Sequence, residues 1–393
     1  MSNVAVRVTA DALRQVRHGS PWVYDGSIVS AKPDGAEPGA LAVIFDGDRK
    51  FAAIGLWDPD SPIRVKVLHH GKPVTIDAAF WRSTLSTALD RRSGLVADGD
   101  TTAYRLVHGE NDGLPGFVAD RYDRTVVVKL YTAAWFPHLD AIVAELVALT
   151  GVDRVVLRAA RSVAGDRDGT VLHGPPLDGP VRFRERGLVM EADVATGQKT
   201  GHFLDQRDNR TLVRGIAAGR DVLDVFASTG GFALAAAAGG AASVHLVDLA
   251  APALDTARRN LAHNPRAIAG TDTRFTVGDA FEVIERLAAA GERYDLVVVD
   301  PPSFAQNQAS VDRAVRAYAR LTHLALGVLA PGGTLVQCSC SSRVTTDQFF
   351  DTVHHAARVA HRPLNEVRRT GHAVDHPIGF EFGGYLKALF ATA

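Results

Sequence analysis

The amino-acid sequence predicts an α/β protein that ends in a doubly wound parallel sheet. From about residue 187 onward, strand-like and helix-length segments alternate regularly, as in a sheet covered by helices on both faces. Residues 1–72 are short β-like runs separated by turn sequences, which is typical of a small β-rich domain. Residues 75–185 mix a helix with strands and predict an α+β middle domain. We therefore expect three domains, at 1–72, 75–185 and 187–393.

The individual elements follow from local patterns. In the first segment, the predicted strands are VAVRV, LAVIFD, FAAIGLW and IRVKVL. In the middle segment, Ala78 to Leu95 is the predicted helix, and TVVVKLY and RVVLRA are strands. In the last segment, DVLDVF, SVHLVD, TRFTV, DLVVVD and GTLVQCS are strands, each followed by a helix-length stretch. NEVRRT and GYLKALFA are expected to close this sheet as an antiparallel hairpin.

Composition limits the class of protein. A hydrophobic content of 46% with 22% charged residues is ordinary for a soluble globular chain and excludes disordered and fibrous classes. The 43 Lys and Arg residues balance 44 Asp and Glu, so any polyanion site must be a local patch. No signal-like opening and no apolar run of about 18 residues is found, which predicts a cytoplasmic protein without a membrane partner. Two cysteines separated by one residue do not make a disulfide scaffold.

A turn after the first strand of the last segment predicts a cofactor site. Gly230 and Gly231 remove side chains where a ligand would approach the backbone, and the following helix offers free N–H donors. Asp248 ends the next strand, 24 residues after Asp224, the separation expected of a carboxylate that binds ribose hydroxyls. Asp279 follows the third strand, where it would read an adenine amino group. Gly-x-Gly-x-x-Gly is absent, which disfavours a nicotinamide and leaves another nucleoside as the predicted ligand.

The fourth strand runs into YDLVVVDPPSF and predicts the reacting edge. Asp300 emerges at the carboxyl end of a strand buried on both faces, where open α/β sheets bind ligands. Pro301 and Pro302 have no N–H and leave carbonyl oxygens exposed, and Phe304 is placed to stack on a flat base. The alternative is a strand-ending aspartate followed by a rigid turn.

Several specific strings resemble one known family over essentially the whole chain. GSPWVYDGSI, YRLVHGENDGLPGFVADRY, ATGQKTGHFLDQRDNR, DPPSF and CSCS resemble the RlmI-like class I S-adenosylmethionine-dependent ribosomal RNA (cytosine-5) methyltransferases. The resemblance implies a Rossmann-like, seven-stranded methyltransferase domain and an N-terminal PUA-like RNA-binding domain. It implies S-adenosyl-L-methionine as the cofactor and carbon 5 of a cytosine in large-subunit ribosomal RNA as the acceptor.

The resemblance also assigns catalytic roles. Carbon 5 of cytosine is not nucleophilic until a thiolate adds to carbon 6, and the family carries that thiolate in an SCS motif, which aligns with Cys340. Cys338 is expected to be a small buried residue of the strand. Asp300 would hydrogen-bond to or protonate ring nitrogen 3. The base that removes the carbon-5 proton is not identified. DPPSF lacks the cysteine that many RNA cytosine-5 methyltransferases use for product release.

The same alignment gives the expected cofactor-binding residues. ATGQKTGHFLDQRDNR would pass over the cofactor, with a linker and a capped helix start as the alternative reading. The full expected set is Gln198, Lys199, Phe203, Asp205, Gln206, Asp224, Phe226, Ala227, Thr229, Gly230, Gly231, Asp248, Leu249, Asp279, Ala280, Asp300 and Pro301.

Basic side chains near the reacting edge are candidate RNA contacts. Arg313, Arg316 and Arg320 recur at helical spacing and share one face, a pattern that also suits a solvated charged face. Arg343, three residues after Cys340, would contact phosphate or lower the thiol pKa.

Two other functions remain open, and a zinc site is a third, weaker alternative. An exocyclic amino-group methyltransferase would use DPPSF without a cysteine, and a non-catalytic ribosome assembly factor would bind RNA only. A zinc site from the cysteines with His354 or His355 has poor tetrahedral spacing, so no metal is predicted. The sequence leaves the oligomeric state open, with a homodimer as one candidate.

Overall fold

The computed structural model describes residues 3–97, 99–160, 163, 165–305, 307–380 and 382–393. The chain forms two compact units, each assembled from three stretches of sequence. The first comprises Met1–Arg184, Ala192–Leu204 and Val374–Gly383, and the second comprises Glu185–Glu191, Asp205–Ala373 and Gly384–Ala393. The three predicted domain boundaries stay a prediction.

The N-terminal part of the first unit is a six-stranded sheet of order β2-β6-β5-β4-β1-β3. Burial alternates along β1 and β4, whose inward residues, among them Val4, Val6 and Ile44, form the core of this sheet. β1 runs antiparallel to β3 and parallel to β4. The elements are β1 (Val4–Val8), α1 (Ala10–Arg17), β2 (Trp22–Tyr24), β3 (Ile28–Lys32), β4 (Leu41–Phe45), β5 (Phe51–Trp57) and β6 (Ile63–His70).

A second sheet in the first unit has five strands in the order β11-β10-β9-β8-β7. The helical stretch 133–150 is long and apolar enough, by length and composition alone, to cross a membrane. Trp135, Ile142 and Leu146 on this stretch are fully buried in the core of this sheet's layer, as expected for a core helix. The elements are α2 (Ala78–Asp90), α3 (Ser93–Val96), β7 (Ala103–His108), β8 (Phe117–Tyr122), β9 (Thr125–Leu130), α4 (Leu139–Thr150), β10 (Arg154–Ala159) and β11 (Val171–His173).

The predicted helix from Ala78 to Leu95 is interrupted. α2 ends at Asp90 and a short helix, α3, follows. The side chain of Arg92 turns inward at the break, where its guanidinium donates to the Ala88 carbonyl and to the Asp112 carboxylate. A buried charged side chain needs such partners, and the local helical pattern carries no sign of them.

The second unit contains a seven-stranded sheet of order β16-β15-β14-β17-β18-β20-β19. Its first five strands in this order are parallel, and β20 runs antiparallel to both β18 and β19, so the predicted closing hairpin is confirmed. β12 (Val181–Glu185) and β13 (Leu188–Ala192) form a separate two-stranded sheet. The strands are β14 (Asp221–Val225), β15 (Ser243–Asp248), β16 (Asp272–Val277), β17 (Tyr294–Val299), β18 (Leu329–Ser339), β19 (Asn365–Thr370) and β20 (Lys387–Thr392).

Six helices accompany these strands in the described part of the second unit. Side chains of α8 and α9, such as Ile284, Leu321 and Ala325, pack against the inner strands of the sheet. The carboxyl ends of β14 to β18 meet at one edge, because parallel strands point the same way. The helices are α5 (Arg207–Ile216), α6 (Gly231–Ala238), α7 (Ala251–Ala262), α8 (Ala280–Ala289), α9 (Val311–Val328) and α10 (Thr346–Val359).

Candidate active site

Asp224, near the carboxyl end of β14, is a buried acid. Its Oδ2 accepts a hydrogen bond from the Ala233 backbone N–H at 2.9 Å, and its Oδ1 has no hydrogen-bond partner among the described residues. Burial raises the pKa of this carboxyl to about 7, and the nearby charges of Asp300 and Asp248 act in the same direction. A ligand with a positive charge or a hydrogen-bond donor would satisfy the orphaned oxygen.

The turn from β14 into α6 has an unusual backbone. Phe226, Ser228 and Gly230 have φ angles of 63°, 49° and 77°, in the left-handed region that non-glycine residues rarely adopt. Such strain persists only where surrounding contacts hold it, and it occurs often at ligand sites. The Asn260 amide supplies one such contact, because its Nδ2 donates to the Thr229 carbonyl at 2.9 Å.

Packing within the protein requires both glycines of this turn, in addition to the ligand approach that the sequence suggested. A Cβ on Gly230 would lie 2.7 Å from Ala257 Cβ on α7, and a Cβ on Gly231 would lie 2.9 Å from Arg210 Cδ. Close packing against the chain itself therefore excludes a side chain at both positions, independently of any ligand. Arg210 is fixed there by a buried two-pronged ion pair with Glu185.

Asp248, at the carboxyl end of β15, shapes the same turn. Its Oδ2 accepts from the Ser228 N–H and its Oδ1 from the Ala250 N–H, both at 2.8 Å. A carboxylate oxygen can accept more than one hydrogen bond, so these contacts are compatible with ribose binding. Leu249, the next residue, is 71% exposed, which is unusual for a leucine beside a buried strand. It offers apolar surface to a flat ring.

Asp279 lies beyond β16 and begins α8. Its Oδ1 accepts from the backbone N–H groups of Phe281 and Glu282, so it is the N-cap of that helix. The neighbouring Ala280 is buried. The structure thus gives Asp279 a capping role, alongside the adenine contact predicted from the sequence.

Asp300, at the end of β17, is held by a glutamine. Gln206 Nε2 donates to Asp300 Oδ1 at 2.8 Å, while Gln206 Oε1 accepts from Asn209 Nδ2 at 2.6 Å. This chain of hydrogen bonds fixes the orientation of the carboxyl. Asp205 is committed nearby, because its Oδ2 accepts from the Tyr385 hydroxyl at 2.8 Å. The sequence pointed to Gln206 as a cofactor residue but not to its bond with Asp300.

Three residues of the predicted cofactor set lie in the first compact unit. Lys199 has a φ of 52°, and its Nζ stands 4.4 Å from the centre of the Phe203 ring in a cation–π contact. The carbonyl of Gln198 accepts from the Gly201 N–H, which closes a turn. These residues therefore form an ordered turn of that unit. Such a turn is compatible with the alternative prediction of a linker followed by a capped helix start.

The two cysteines have different environments. Cys338 lies within β18 and is fully buried, and burial raises its pKa well above the usual range for a thiol. Cys340 follows the end of the strand and is half-buried, with its Sγ 3.7 Å from the Pro301 carbonyl oxygen. The half-buried thiol therefore lies against the DPPSF loop.

The serines on either side of Cys340 join the reacting loops. Ser341 Oγ accepts from the Phe304 N–H at 3.1 Å and shares a hydrogen bond of 2.8 Å with the Tyr318 hydroxyl. Ser339 Oγ donates to the same hydroxyl at 2.8 Å. Burial raises the pKa of Tyr318 to about 12, so it stays a neutral phenol at physiological pH. Sequence reasoning missed Tyr318, although the serines on both sides of Cys340 were a signal that this segment forms hydroxyl hydrogen bonds.

The ring of Phe304, which is predicted to stack on a base, is partly covered by another side chain. The Phe304 ring packs against Tyr318, with ring centres 5.2 Å apart, and belongs to the hydrophobic cluster beneath the loop. This contact limits the ring surface that a base could use.

The candidate RNA-binding arginines differ in their partners. Arg313 and Arg316 are exposed on α9, and Arg343 is exposed beyond Cys340. Arg320 instead pairs with Glu285 at 2.7 Å and lies over the Phe281 ring. Its charge is therefore partly engaged within the protein.

Within the described ranges, no group of three or more His, Cys, Asp or Glu side chains is arranged to hold a metal ion. His354 hydrogen-bonds to Glu366 at 3.1 Å. A zinc site would require this side chain to leave that contact.

The fold and this edge of the sheet define a class I methyltransferase arrangement, and comparison with known families agrees. A model for S-adenosylmethionine-dependent methyltransferases matches residues 105–385, and a PUA-like domain matches residues 6–70. The chain belongs to the S-adenosylmethionine-dependent methyltransferase family, and its cofactor is S-adenosyl-L-methionine. The predicted fold class, enzyme class and PUA-like domain are confirmed.

Individual relatives are similar over nearly the whole chain. A protein of Deinococcus radiodurans named ribosomal RNA large subunit methyltransferase is 46% identical, over 98% of this chain and 96% of its own length. Ribosomal RNA large subunit methyltransferase I of Shewanella frigidimarina is 34% identical over 99% of each chain. The solved structure of SMU.776 complexed with SAH superposes with a TM-score of 0.84 over the full length of both chains, at 22% identity, and supports the fold.

The residues of the β14 to β16 edge fit this cofactor. The orphaned Asp224 oxygen suits its positively charged groups, and α6 presents an N-terminus without a side-chain cap beside the turn. The exposed Leu249 is an apolar side chain at the same edge, compatible with its predicted cofactor contact.

Replacing Asp224 with Asn tests how much the charge of this buried carboxylate destabilises the ligand-free protein. The folded-state pKa is raised from 3.8 to about 7, so between these values the folded protein keeps a proton that the unfolded chain has lost. Stability due to this group is therefore present at low pH and is lost as the pH rises through that window. Asp224→Asn should stabilise the ligand-free protein at pH 8 by up to about 4 kcal/mol and leave stability near pH 4 unchanged.

Urea unfolding at both pH values measures this difference. Asp351→Asn, on the exposed side of α10, is the matched control and should change stability little at either pH. An equal effect of Asp224→Asn at both pH values would contradict the burial argument.

Proposed function

We propose that this enzyme transfers a methyl group from S-adenosyl-L-methionine to carbon 5 of a cytosine in large-subunit ribosomal RNA, through a covalent adduct with Cys340. One observation carries the proposal. The half-buried Cys340 thiol lies 3.7 Å from the Pro301 carbonyl oxygen, in the loop that begins with Asp300. In the proposal, a nucleophile and an acid would flank the pyrimidine ring. The names of the relatives support ribosomal RNA as the substrate.

The cofactor is proposed to lie along the ends of β14, β15 and β16. Asp248 would accept hydrogen bonds from the ribose hydroxyls, and Asp279 would accept from the adenine amino group through the carboxylate that caps α8. The α6 N-terminus and Asp224 would face the methionine portion. When bound, S-adenosyl-L-methionine supplies an electrophilic methyl group on a positively charged sulfur.

The proposed chemistry begins at Cys340. Its thiolate forms a bond to carbon 6, and the electron pair of the 5,6 double bond makes carbon 5 nucleophilic while Asp300, in its protonated form, donates a hydrogen bond to nitrogen 3, where negative charge develops. Carbon 5 takes the methyl group, whose bond to the cofactor sulfur breaks with the electron pair staying on sulfur. Loss of the carbon-5 proton to a base then restores the double bond and expels the Cys340 thiolate. The Gln206 hydrogen bond keeps the Asp300 carboxyl in place throughout.

RNA is proposed to lie along the carboxyl edge of the seven-stranded sheet of the second unit, beside α9. Arg313, Arg316 and Arg343 are exposed and would pair with phosphates, while Arg320 would have to exchange its contact with Glu285. The PUA-like domain is proposed as a second RNA contact, and the cell's cytoplasm as the place of action.

An amino-group methyltransferase is the rival within the same class. It would hold an exocyclic nitrogen against the Asp-Pro-Pro carbonyls and would not need a thiol. Because both enzymes would bind the same cofactor, only the product and the cysteine dependence separate them.

Cys340→Ser should abolish 5-methylcytosine formation, by at least about a thousandfold, because a hydroxyl is not ionised at neutral pH. Ribosomal RNA from a strain lacking this gene is the substrate, and mass analysis of its nucleosides identifies the product. Binding of S-adenosyl-L-methionine should be unchanged.

Cys338→Ala is the control and should keep most of the activity, because that thiol is buried within β18. Normal turnover of Cys340→Ser with a product methylated on an exocyclic nitrogen would replace the proposal by its rival. Normal formation of 5-methylcytosine by the same variant would falsify the covalent mechanism.

Asp248→Asn should weaken binding of S-adenosyl-L-methionine about tenfold or more, since hydrogen bonds to a charged acceptor are each worth about 1.5–3 kcal/mol. Titration calorimetry measures the affinity. The matched control is Asp272→Asn, an exposed aspartate at the start of β16 and away from the carboxyl edge. Unchanged affinity in Asp248→Asn would remove the ribose contact from the proposal.

A further inference from the structure

Lys387 is a buried lysine beside the cysteine loop. It begins β20 and lies opposite Ser339 in the antiparallel register with β18, and only 6% of it is exposed. It is the only lysine between residues 200 and 393, a segment whose other basic side chains are arginine and histidine. Lysine differs from arginine in being a compact point charge that can give up its proton when buried.

The Lys387 ammonium holds both ends of the loop that follows Cys340. Its Nζ donates to the Ser341 carbonyl and to the Val344 carbonyl, each at 2.7 Å. Both hydrogen bonds of Nζ go to neutral carbonyl oxygens, and no ion pair of Lys387 with a carboxylate is found in the part of the chain that the structure describes. Neutral carbonyls alone do not balance a buried positive charge, so a negative group nearby would stabilise it.

Cys340 is the group that fits this need. Cys340 lies between Ser339, which is opposite Lys387 in the strand register, and Ser341, whose carbonyl accepts from Lys387 Nζ. Burial lowers the pKa of Lys387 to about 8, and the charge of Cys340 acts to raise it. Among the described residues, Cys338 on β18 and Tyr318 on α9 also interact electrostatically with Cys340, and Asp300, which follows β17, interacts with both of them. An ionised Asp300 would oppose a thiolate, and the neutral Cys338 and Tyr318 supply no positive charge to balance one.

We propose that Lys387 is a positioning residue for the methyl transfer, which fixes the Cys340 loop through two carbonyls and stabilises the Cys340 thiolate with its positive charge. The inference rests on the proposed function, because it gives Cys340 the role of nucleophile. It adds the source of thiol activation, which DPPSF and the SCS motif do not themselves provide.

The test measures thiol reactivity directly and so does not depend on methyl transfer. In a Cys338→Ala background Cys340 is the sole thiol of the chain, and its alkylation rate with iodoacetamide follows the thiolate population. Lys387→Gln keeps an N–H donor for the carbonyls but removes the charge. The alkylation rate at pH 7 should fall about tenfold, and the midpoint of the rate against pH should move to higher pH.

Two companion variants separate charge from packing. Lys387→Arg restores the charge and should react faster at pH 7 than Lys387→Gln. Lys72→Met removes an exposed lysine far along the chain and should leave the profile unchanged. Cofactor affinity, measured on every variant, shows whether the site is still folded, and Lys387→Met takes the place of Lys387→Gln if that variant does not fold.

The outcomes are distinct from those of the proposed function. A pH profile for Lys387→Gln that coincides with the background would overturn the thiolate role, as would equal profiles for Lys387→Gln and Lys387→Arg. Full activity of Cys340→Ser would instead overturn the covalent mechanism, and it would leave a shifted alkylation profile in Lys387→Gln as evidence that the electrostatic coupling exists.

Discussion

The Ser341 hydroxyl joins the two loops on which the candidate chemistry depends. It accepts from the backbone of the DPPSF loop at Phe304 and Ala305 and bonds to the Tyr318 hydroxyl, all within 3.3 Å. Two strand ends that are adjacent in the sheet, those of β17 and β18, would otherwise diverge into independent loops. A single buried oxygen with four partners, which also include the Ser303 hydroxyl, fixes their relative geometry, and the neutral phenol of Tyr318 does so without adding charge. These hydrogen bonds of Ser341 therefore help to set the distance between Cys340 Sγ and the Pro301 carbonyl oxygen.

Among three acids at the carboxyl edge of the sheet, Asp224 interacts electrostatically with both Asp248 and Asp300. Asp224 and Asp300 are close enough to influence each other, and Asp224 is fully buried. In a region of low dielectric constant this arrangement is unfavourable for the ligand-free protein and favourable for a ligand with a positive charge. The sulfonium and ammonium groups of S-adenosyl-L-methionine are such a ligand. In the proposed binding mode, the repulsion that destabilises the ligand-free protein is relieved when the cofactor binds, and it therefore adds to cofactor affinity.

Much of the fold was predictable from the sequence, because strands and helices alternate with distinct periodicities. The strands of the seven-stranded sheet, including its antiparallel hairpin, were placed correctly for this reason, whereas β13 was not predicted. What escaped prediction depends on partners remote in sequence. The clash that excludes a Cβ at Gly230 comes from Ala257 on another helix, and the break after α2 comes from Arg92 reaching Asp112. In the sequence Lys387 is one residue of the last predicted strand, and only the register with Ser339 reveals its place beside the cysteine loop.

The arrangement also explains why two thiols occur so close together in the chain. In a continuous strand, residues 338 and 340 would share one face, and both side chains would be buried or both would be reactive. β18 ends at Ser339, so Cys338 keeps its place opposite Ala388 in the sheet while Cys340 leaves the ladder. The first thiol fills core volume, with its ionisation suppressed by burial. The second lies beside the backbone of another loop and within reach of a buried cation. The end of the strand at Ser339 thus separates a fully buried thiol from the half-buried thiol that we propose as the nucleophile.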